Sequence, residues 1–475
     1  LTLVNETLQT HIQLHLANNT PVYGTRSVEE VLAEKRFPFT LPFYLPREQC
    51  VLGLTGYRPM LGEINYKIST TLPTNQQAGT GYGKVQKNSL EAQKLLSALS
   101  PQQYKILTEA EADERTKDLF IQQNFNSTLE HLSTLSHFME RTELNTEALH
   151  EVLSVETFTP IKSVNVTTSA PHDTEHYSHF LTMGIRLDKT HNTQQLIGLD
   201  VTQLDRLQRV IRLHRWTNMS ISDLKLLLHS AVRAQSLSAR FTLNEHSVRA
   251  LGVYRYLSQR YTLNVDEFCA LLHRLPIHAK AQSASLYDRV FNNDQLFNAS
   301  LLLDDSPLNL VSPDPDSLSC LSKIGASLAL SPTPDSLGVL SNQVQKYIPS
   351  PKKDLLTLSS FYRQARIAML FNLSVKESVQ LAELLGGVSH SKQLTFPTLR
   401  STLTPSAPDL LDVLMQMDWA TQWFKQADTS IQKVRHQLRL ETSQSPSAIN
   451  EYAQQLDAAF IELERCLLAD EEIPG

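Results

Sequence analysis

Glycine is scarce in this chain, with only 15 in 475 residues. Parallel α/β enzymes spend glycine at strand-to-helix turns and phosphate loops, so its scarcity favours helices joined by short polar turns. Paired cysteines are also missing. Cys50, Cys269, Cys320 and Cys466 lie far apart with no CxxC spacing, which excludes a small disulfide framework and a clustered structural zinc site. Cys269 and Cys466 fall on apolar helical stretches and read as buried free thiols. No apolar run approaches the roughly 18 residues that span a bilayer. Excess positive charge is absent too: the formal net charge of −6 argues against a nucleic-acid footprint. The chain starts at Leu1, so no signal peptide can be assessed.

What is present is helix chemistry. With 41% hydrophobic and 19% charged residues the composition is globular, and the length calls for two to four packed units. A local pattern recurs: Leu or Met, a small polar residue, an acid or amide three places on, then apolar residues at helical spacing. It occurs as "LSPQQYKIL" from Leu99, "MSISDLKLLL" from Met219, "LNVDEFCALL" from Leu263 and "LSVKESVQLAELL" from Leu373. "LNTEALHEVL" from Leu144 keeps the cap but has Ala148 at the third place. Ser100, Ser220, Asn264 and Ser374 are placed to accept a free first-turn N–H. Gln103, Asp223, Glu267 and Glu377 are placed to reach back. Core stripes follow: Leu224, Leu227, Leu228, Ala231 and Val232; Phe268, Leu271, Leu272 and Leu275; and, upstream, Leu204, Leu207, Val210, Ile211 and His214. The caps are unevenly spaced, so this is a helical body with insertions and not a strict solenoid.

Two regions depart from it. From Thr157 to Leu199 apolar residues alternate (Val164 with Val166, then Met183, Ile185 and Leu187), which predicts a small β excursion or hairpin. From Asp304 to Lys353 proline and serine accumulate, and "SPDPDSLSCLS" at Ser312 is echoed by "SPTPDSLGVLS" at Ser331. Pro followed by Asp-Ser is turn or helix-start chemistry, predicting two short capped helices. Near the N-terminus "FPFTLPFYLPREQ" reads as an extended arm entering a helix at about Arg47, and "LPTNQQAGTGYGKVQKNS" as an exposed loop.

Each candidate site has a plainer reading beside it. "GTGYGK", Gly79 to Lys84, lacks the GxxxxGK[ST] spacing and a preceding strand, so it reads as a loop. His172, His176 and His179, with Asp173 and Glu175, have no HExxH and no second ligand cluster, so a solvated histidine-rich loop outweighs a metal site. A pH-sensitive contact is the weaker alternative there. Arg206, Arg209, Arg212 and Arg215 recur every third residue; the first three oppose the leucine stripe and read as a solvated or subunit-facing basic face. Trp216, Trp419 and Trp423 read as core anchors. No nucleophile, base and oxyanion-donating turn combine, so no catalytic, cofactor-binding or metal residue is assigned.

The ordered strings "LDRLQRVIRLHRW", "MSISDLKLLL", "LNVDEFCALL" and "SLYDRVFNN" (Ser285 to Asn293) resemble the A component of bacterial Tc (toxin complex) insecticidal toxins. Those chains carry "LDRLxRxIRL", a helix opened by W-S-x-x-E/D-L, an "LSxDEL" helix and "SLFDRLFNN" in the same order. "FMERTELNTEALHEVL" looks like a family helix-turn-helix, and "LPFYLP" with its following helix resembles the family's virulence-plasmid A-type region. The likeness runs in patches from about residue 37 to about 430 and is most specific between 200 and 295. Here Trp216 is followed by "TNMSISDL", a weakened form of W-S-x-x-E. Family chains are several times longer, their pore-forming, TcB-binding region is not found here, and some are split across two polypeptides.

The resemblance implies a mainly α fold: a multi-lobed helical shell with a small β excursion around 157-199. The segments are then 1-156, an N-terminal arm and helical lobe; 157-199, a small β insertion; 200-303, the helical shell core; 304-353, a Pro/Ser-rich connector; and 354-475, a C-terminal helical segment. It also implies a non-catalytic shell subunit, without cofactor, of a pentameric prepore around a translocation channel. The implied partners are other copies of the chain, a C-terminal pore-forming half or second A-component chain, the TcB–TcC cocoon, and a host-cell receptor or glycan. The protein would be secreted or displayed on the bacterial surface. Relatives insert receptor-binding modules where the short β excursion lies, and their shell opens on a pH change, to which His172, His176 and His179 are candidate contributors. For "SLYDRVFNN" the role expected is a docking corner: Leu286, Val290 and Phe291 packing, Asp288 and Arg289 pairing with neighbouring helices, Asn292 and Asn293 stopping the helix. The alternative is a free-standing α-helical protein-binding scaffold, which accounts for the composition but not for the ordered strings.

Overall fold

Helix starts fall where local hydrogen bonding places them. The computed structural model describes residues 2–54, 56, 61–71, 89–167, 184–188, 193–237, 241–279, 283–293, 300–401 and 408–438. Ser100 accepts the Gln103 N–H at 3.1 Å while Gln103 accepts the Ser100 N–H at 2.9 Å. Ser374 and Glu377 close the same reciprocal pair at 3.2 and 2.9 Å. Ser220 accepts from Asp223, Asn145 from Ala148, and the Glu267 carboxylate takes the Asn264 N–H. One full capping box, Ser27 with Glu30, went unread in the sequence. Each cap contributes about 1 kcal/mol, little beside the core but enough to set where a helix begins.

The N-terminal part contains α1 (Thr2–Asn18), α2 (Thr20–Tyr23), α3 (Val28–Glu34), α4 (Leu45–Gly53), α5 (Leu61–Thr71), α6 (Ser89–Leu95), α7 (Pro101–Thr108), α8 (Lys117–Phe125), α9 (Leu129–Ser133), α10 (Leu135–Thr142) and α11 (Thr146–Leu153). The expected proline arm is extended only in part: a turn closed by the Leu41 N–H on the Pro38 carbonyl at 2.9 Å interrupts it. It has cis peptides at Phe37–Pro38 and Leu41–Pro42 and enters α4 two residues before Arg47. Phe39 is buried, its ring edge-on to Phe125 at 5.4 Å.

The β excursion is real and small. β1 (Ile161–Lys162) is followed by a hairpin of β2 (Gly184–Asp188) and β3 (Thr193–Ile197), antiparallel with Arg186 opposite Gln195. The hairpin packs on α9 and α10. Then come α12 (Val201–Thr217), α13 (Ile221–Gln235), α14 (Glu245–Tyr261), α15 (Val265–Leu272), β4 (His278–Ala279) and α16 (Leu286–Phe291). β4 pairs antiparallel with β1, so the excursion is tied to a segment more than a hundred residues later.

The Pro/Ser-rich region holds two helices, α17 (Pro315–Ser327) and α18 (Leu337–Tyr347), but the echoed strings start them differently. Asp314 caps α17 through the Ser317 N–H at 2.8 Å. The equivalent position of the second string is Thr333, a turn forms over 334–336, and α18 begins later without a side-chain cap. The chain continues with α19 (Leu355–Leu370), α20 (Val375–Thr395), α21 (Leu410–Gln426) and α22 (Ile431–Gln437). Packing divides it into two units, Leu1–Trp419 and Ala420–Gly475. In the second, Ser430 caps α22 through the Lys433 N–H.

The leucine stripes are covered as read, and α13 and α19 go further: nearly every residue from Ile221 to Ala234 and from Leu355 to Ala368 is buried, polar ones included. Such all-round burial belongs to central helices. α13 packs on α11, α12, α14 and α15, and α19 on α15, α18 and α20. Helix α6 is pressed between two glycines. A Cβ on Gly62 would meet the Leu95 carbonyl oxygen at 2.4 Å, and one on Gly252 of α14 would meet that of Gln93 at 2.3 Å.

Neither backbone can yield to a methyl group at those distances. Gly252→Ala is expected to lower stability by about 1–3 kcal/mol through overpacking. Gly53→Ala, where a Cβ meets nothing within 4 Å, should change it by well under that. Urea unfolding of both variants is the check.

Candidate functional site: buried cation clamps and a docking corner

A helix leaves its last carbonyls without intrahelical partners, and in a layered body many of those ends lie inside. Cations from neighbouring helices answer them here. Arg209 of α12, expected on a solvated face, is 2% exposed. It donates to the carbonyls of Leu107 (2.6 Å) and Glu109 (3.0 Å) at the end of α7, and grips both carboxylate oxygens of Asp205 at 2.9 Å. Arg212, fully buried, donates to the carbonyls of Leu41 and Arg36 on the proline arm and to Asn124 Oδ1. Its guanidinium lies 4.8 Å from the Phe39 ring centroid. The basic-face reading is therefore corrected for these two. A helical wheel shows which residues oppose the leucines, but not that a second layer covers the opposing side as well. The outer pair is more exposed: Arg206 bonds Glu111 at 3.3 Å, and Arg215 bonds Glu143 and the Thr142 carbonyl.

The same device recurs where no sequence signal marked it. Arg363 of α19 donates to the carbonyls of Ala270, Leu271 and His273 at the end of α15 and to that of Thr395 at the end of α20. No carboxylate takes part in these bonds; the negative ends of two helix dipoles compensate the charge. Burial first, and Arg274 second, pull its pKa down to about 9, so it stays charged at neutral pH. Lys225 of α13 closes α11, donating to the Val152 carbonyl at 2.9 Å and to Ser154 Oγ. Burial lowers its pKa to about 7, against the opposing charge of Glu151.

Arg249 of α14 anchors a denser network. It is fully buried and bidentate to Asp409, with both contacts at 2.6 Å, and it reaches Asp412 at 3.0 Å and Gln93 at 2.5 Å. Arg400 holds the other oxygen of Asp412 at 2.7 Å. Asp409 and Asp412 also cap α21 reciprocally, each accepting the other's N–H. Burial alone would raise the Asp409 pKa; the charge and hydrogen bonds of Arg249 outweigh it and hold the carboxyl below its usual range.

"SLYDRVFNN" forms α16 and its flanks. Leu286, Tyr287 and Phe291 are buried, and Val290 packs partly against the same core. Arg289 pairs with Asp266 on α15 as expected. Asp288 does not reach a helix: it accepts from Ser163 Oγ (2.8 Å) and Asn165 Nδ2 (2.9 Å) beside β1, and from Ser285 Oγ. Asn292 accepts the Leu301 N–H at 2.6 Å as the helix stops.

The remaining candidates separate cleanly. Gly79 to Lys84, His172, Asp173, Glu175, His176, His179 and Cys466 lie outside the described residues. Cys269 and Cys320 are buried free thiols and Cys50 is exposed. Trp216 is half-buried, 5.9 Å from the Arg212 guanidinium, while Trp419 and Trp423 are 38% and 42% exposed and so are not core anchors. Their i, i+4 spacing establishes a shared helix face but not that anything covers it. Among the described residues no group of three or more His, Cys, Asp or Glu is placed to hold a metal, and no helix is long and apolar enough to cross a membrane.

Residues 1–145 match the family described as Salmonella virulence plasmid 28.1kDa A protein. The toxin subunit YenA1 of Yersinia entomophaga is 24% identical over 329 residues, 64% of this chain and 28% of YenA1. The cryo-EM structure of Morganella morganii TcdA4 superposes with a TM-score of 0.55 at 15% identity, covering 94% of this chain and 22% of that one, a likeness of fold. The chain thus spans under a third of the curated relative it matches. The kinship read from the ordered strings is supported: the chain resembles TcA-like components of Tc toxins in sequence and in fold.

Two measurements test the clamps. Arg249→Met strands the buried carboxylate of Asp409 and leaves Asp412 to Arg400 alone. It is expected to cost about 3–5 kcal/mol, most of it recovered when Asp409→Asn is added; urea midpoints decide this. Below about pH 7 Lys225 is protonated in both the folded and unfolded chain, and the cost of burying its charge is carried in full. Between about 7 and its ordinary 10.5 only the unfolded chain keeps the proton, so this residue makes stability rise with pH. Lys225→Met should flatten that part of the pH–stability curve.

Proposed function

We propose that this TcA-like chain is part of the helical shell of an oligomeric Tc toxin A component. It would be a non-catalytic casing around the channel through which a toxic enzyme enters a target cell. The observation that carries the reading is how the interior spends its polar groups. Arg209, Arg212, Arg249, Arg363 and Lys225 all end on carbonyls or carboxylates of another segment. Groups engaged in that way hold layers together and have no spare valence for a substrate. A casing that must stay closed around a channel needs such cross-layer ties, because apolar burial alone is non-directional and permits sliding.

On this reading copies of the chain assemble as a pentamer, together with the remainder of the A component, whether on the same polypeptide or a second one. A TcB–TcC cocoon then docks on the assembly, and a host-cell receptor or glycan is the target. The protein acts after secretion or from the bacterial surface. The five segments from 1-156 to 354-475 are its successive substructures, and the short β2–β3 hairpin, laid against α9 and α10, is too small to serve as a receptor module by itself.

Electron microscopy and light scattering of the chain, alone and co-expressed with its neighbouring toxin genes, test the proposal. Ring-shaped oligomers enclosing a channel are expected with the partners present, whereas a monomer that ignores them favours the free-standing scaffold. Within the assembly α16 is the docking corner. Phe291→Ala should cost about 3–5 kcal/mol and Asp288→Ala about 1–3 kcal/mol by leaving Ser163 and Asn165 unanswered. If both variants melt and assemble like the unaltered chain, α16 has no such role.

A further inference from the structure

A cleft of about 1100 Å³ opens among α2, α3 and the proline arm on one side and α7 and α8 on the other. Nothing in the proposed shell role uses it. Its lining carries four cations, Arg26, Lys35, Arg36 and Lys105, against the single carboxylate of Glu34, in a chain whose net charge is −6. Two of the four are already matched: Arg26 bonds Glu34 at 2.5 Å, and Arg36 grips both oxygens of Glu109 at 2.5 and 2.7 Å. Lys35 and Lys105 have no carboxylate partner among the described residues, and both are exposed. The Lys35 ammonium lies 5.3 Å from the Tyr23 ring centroid, at the same cleft. A second observation concerns hydrogen bonding. Gln102, also in the lining, has its Oε1 buried with no donor among the described residues. Gln122, Gln123 and Asn126 add further side-chain amides.

We infer that this cleft binds an acidic peptide segment of a partner protein. Two unmatched ammonium groups call for carboxylates. A buried acceptor without a donor costs roughly 1–3 kcal/mol until an N–H reaches it, and side-chain amides complement the alternating N–H and C=O of a peptide backbone. An extended stretch with two acidic side chains supplies all three. Free sulfate supplies acceptors only and leaves the Gln102 oxygen unanswered, and a lone phosphate offers an O–H donor but no second acid to span both lysines. Tyr23 adds apolar surface beside one ammonium, where residues next to the acids can rest. This inference stands apart from the shell reading: the cleft can bind such a peptide whether or not the chain forms rings.

Fluorescence anisotropy on the full chain tests it, with fluorescein-labelled hexaglutamate as probe at ~50 mM salt. Saturable binding is expected, weakening steeply toward ~0.2 M salt as the lysines are screened. The doubly reversed variant Lys35→Glu, Lys105→Glu should bind at least about tenfold more weakly. Gln102→Leu should weaken binding about threefold or more with the salt slope kept, because it removes an acceptor and no charge. Lys425→Glu with Lys433→Glu, two exposed lysines far along the chain, is the charge-matched control and should bind as the unaltered protein does. Circular dichroism melts confirm that each variant is folded. No binding of hexaglutamate, equal binding by the doubly reversed variant, or tighter binding of a sulfated disaccharide than of the peptide would each overturn the inference.

Discussion

Unanswered carbonyls at buried helix ends are the constraint on which the rest of this structure depends. A body made of many helices in layers buries the ends of several, and each end presents acceptors that water no longer reaches. Extending the helices would only move the problem. The chain places a long cation on the adjoining layer instead: Arg209 at the end of α7, Lys225 at the end of α11, Arg363 at the ends of both α15 and α20. Each of these bonds joins segments far apart in sequence, so meeting the acceptors and locking the layers are one event.

The choice between arginine and lysine at these ends follows from geometry. Arg363 serves four carbonyls from two helices, which needs the planar fork of a guanidinium. Lys225 reaches a carbonyl and a hydroxyl, which the point charge of an ammonium can do. The pKa directions fit the same picture. Arg363 and Lys225 are held mainly by neutral dipoles and are pulled down by burial, whereas Arg249, bidentate to a carboxylate, is raised in spite of it. Carboxylate partners can also position a helix start, as Asp409 and Asp412 do for α21.

On the shell reading, function at such places is mechanical. Asp288 shows how a short specific string earns its residues: one carboxylate collects Ser163, Asn165 and Ser285, tying α16 to the segment that pairs with β4. A helix formed merely to fill space would need Leu286 and Phe291 but not the acid. The cleft beside the proline arm has the opposite character, since its lysines are without carboxylates and stand beside a large cavity.

Helix starts, leucine stripes, the proline arm and the β excursion were legible in the chain itself because each depends on residues within a few positions of one another. A serine and the amide three residues on need no third party to form a cap. The fate of Arg209 and Arg212 was not legible, and the periodicity even pointed outward, because a wheel diagram sees one helix and the carbonyls of Leu107, Leu41 and Arg36 come from elsewhere. Nor could spacing reveal that Trp419 and Trp423 stay exposed, or that Asp288 meets the turn after β1 and not a neighbouring helix. Local order alone was enough to determine what elements this protein is built from. Only the assembled layers decided which charges would be buried, since an arginine goes inside or outside according to whether unpaired acceptors lie within its reach.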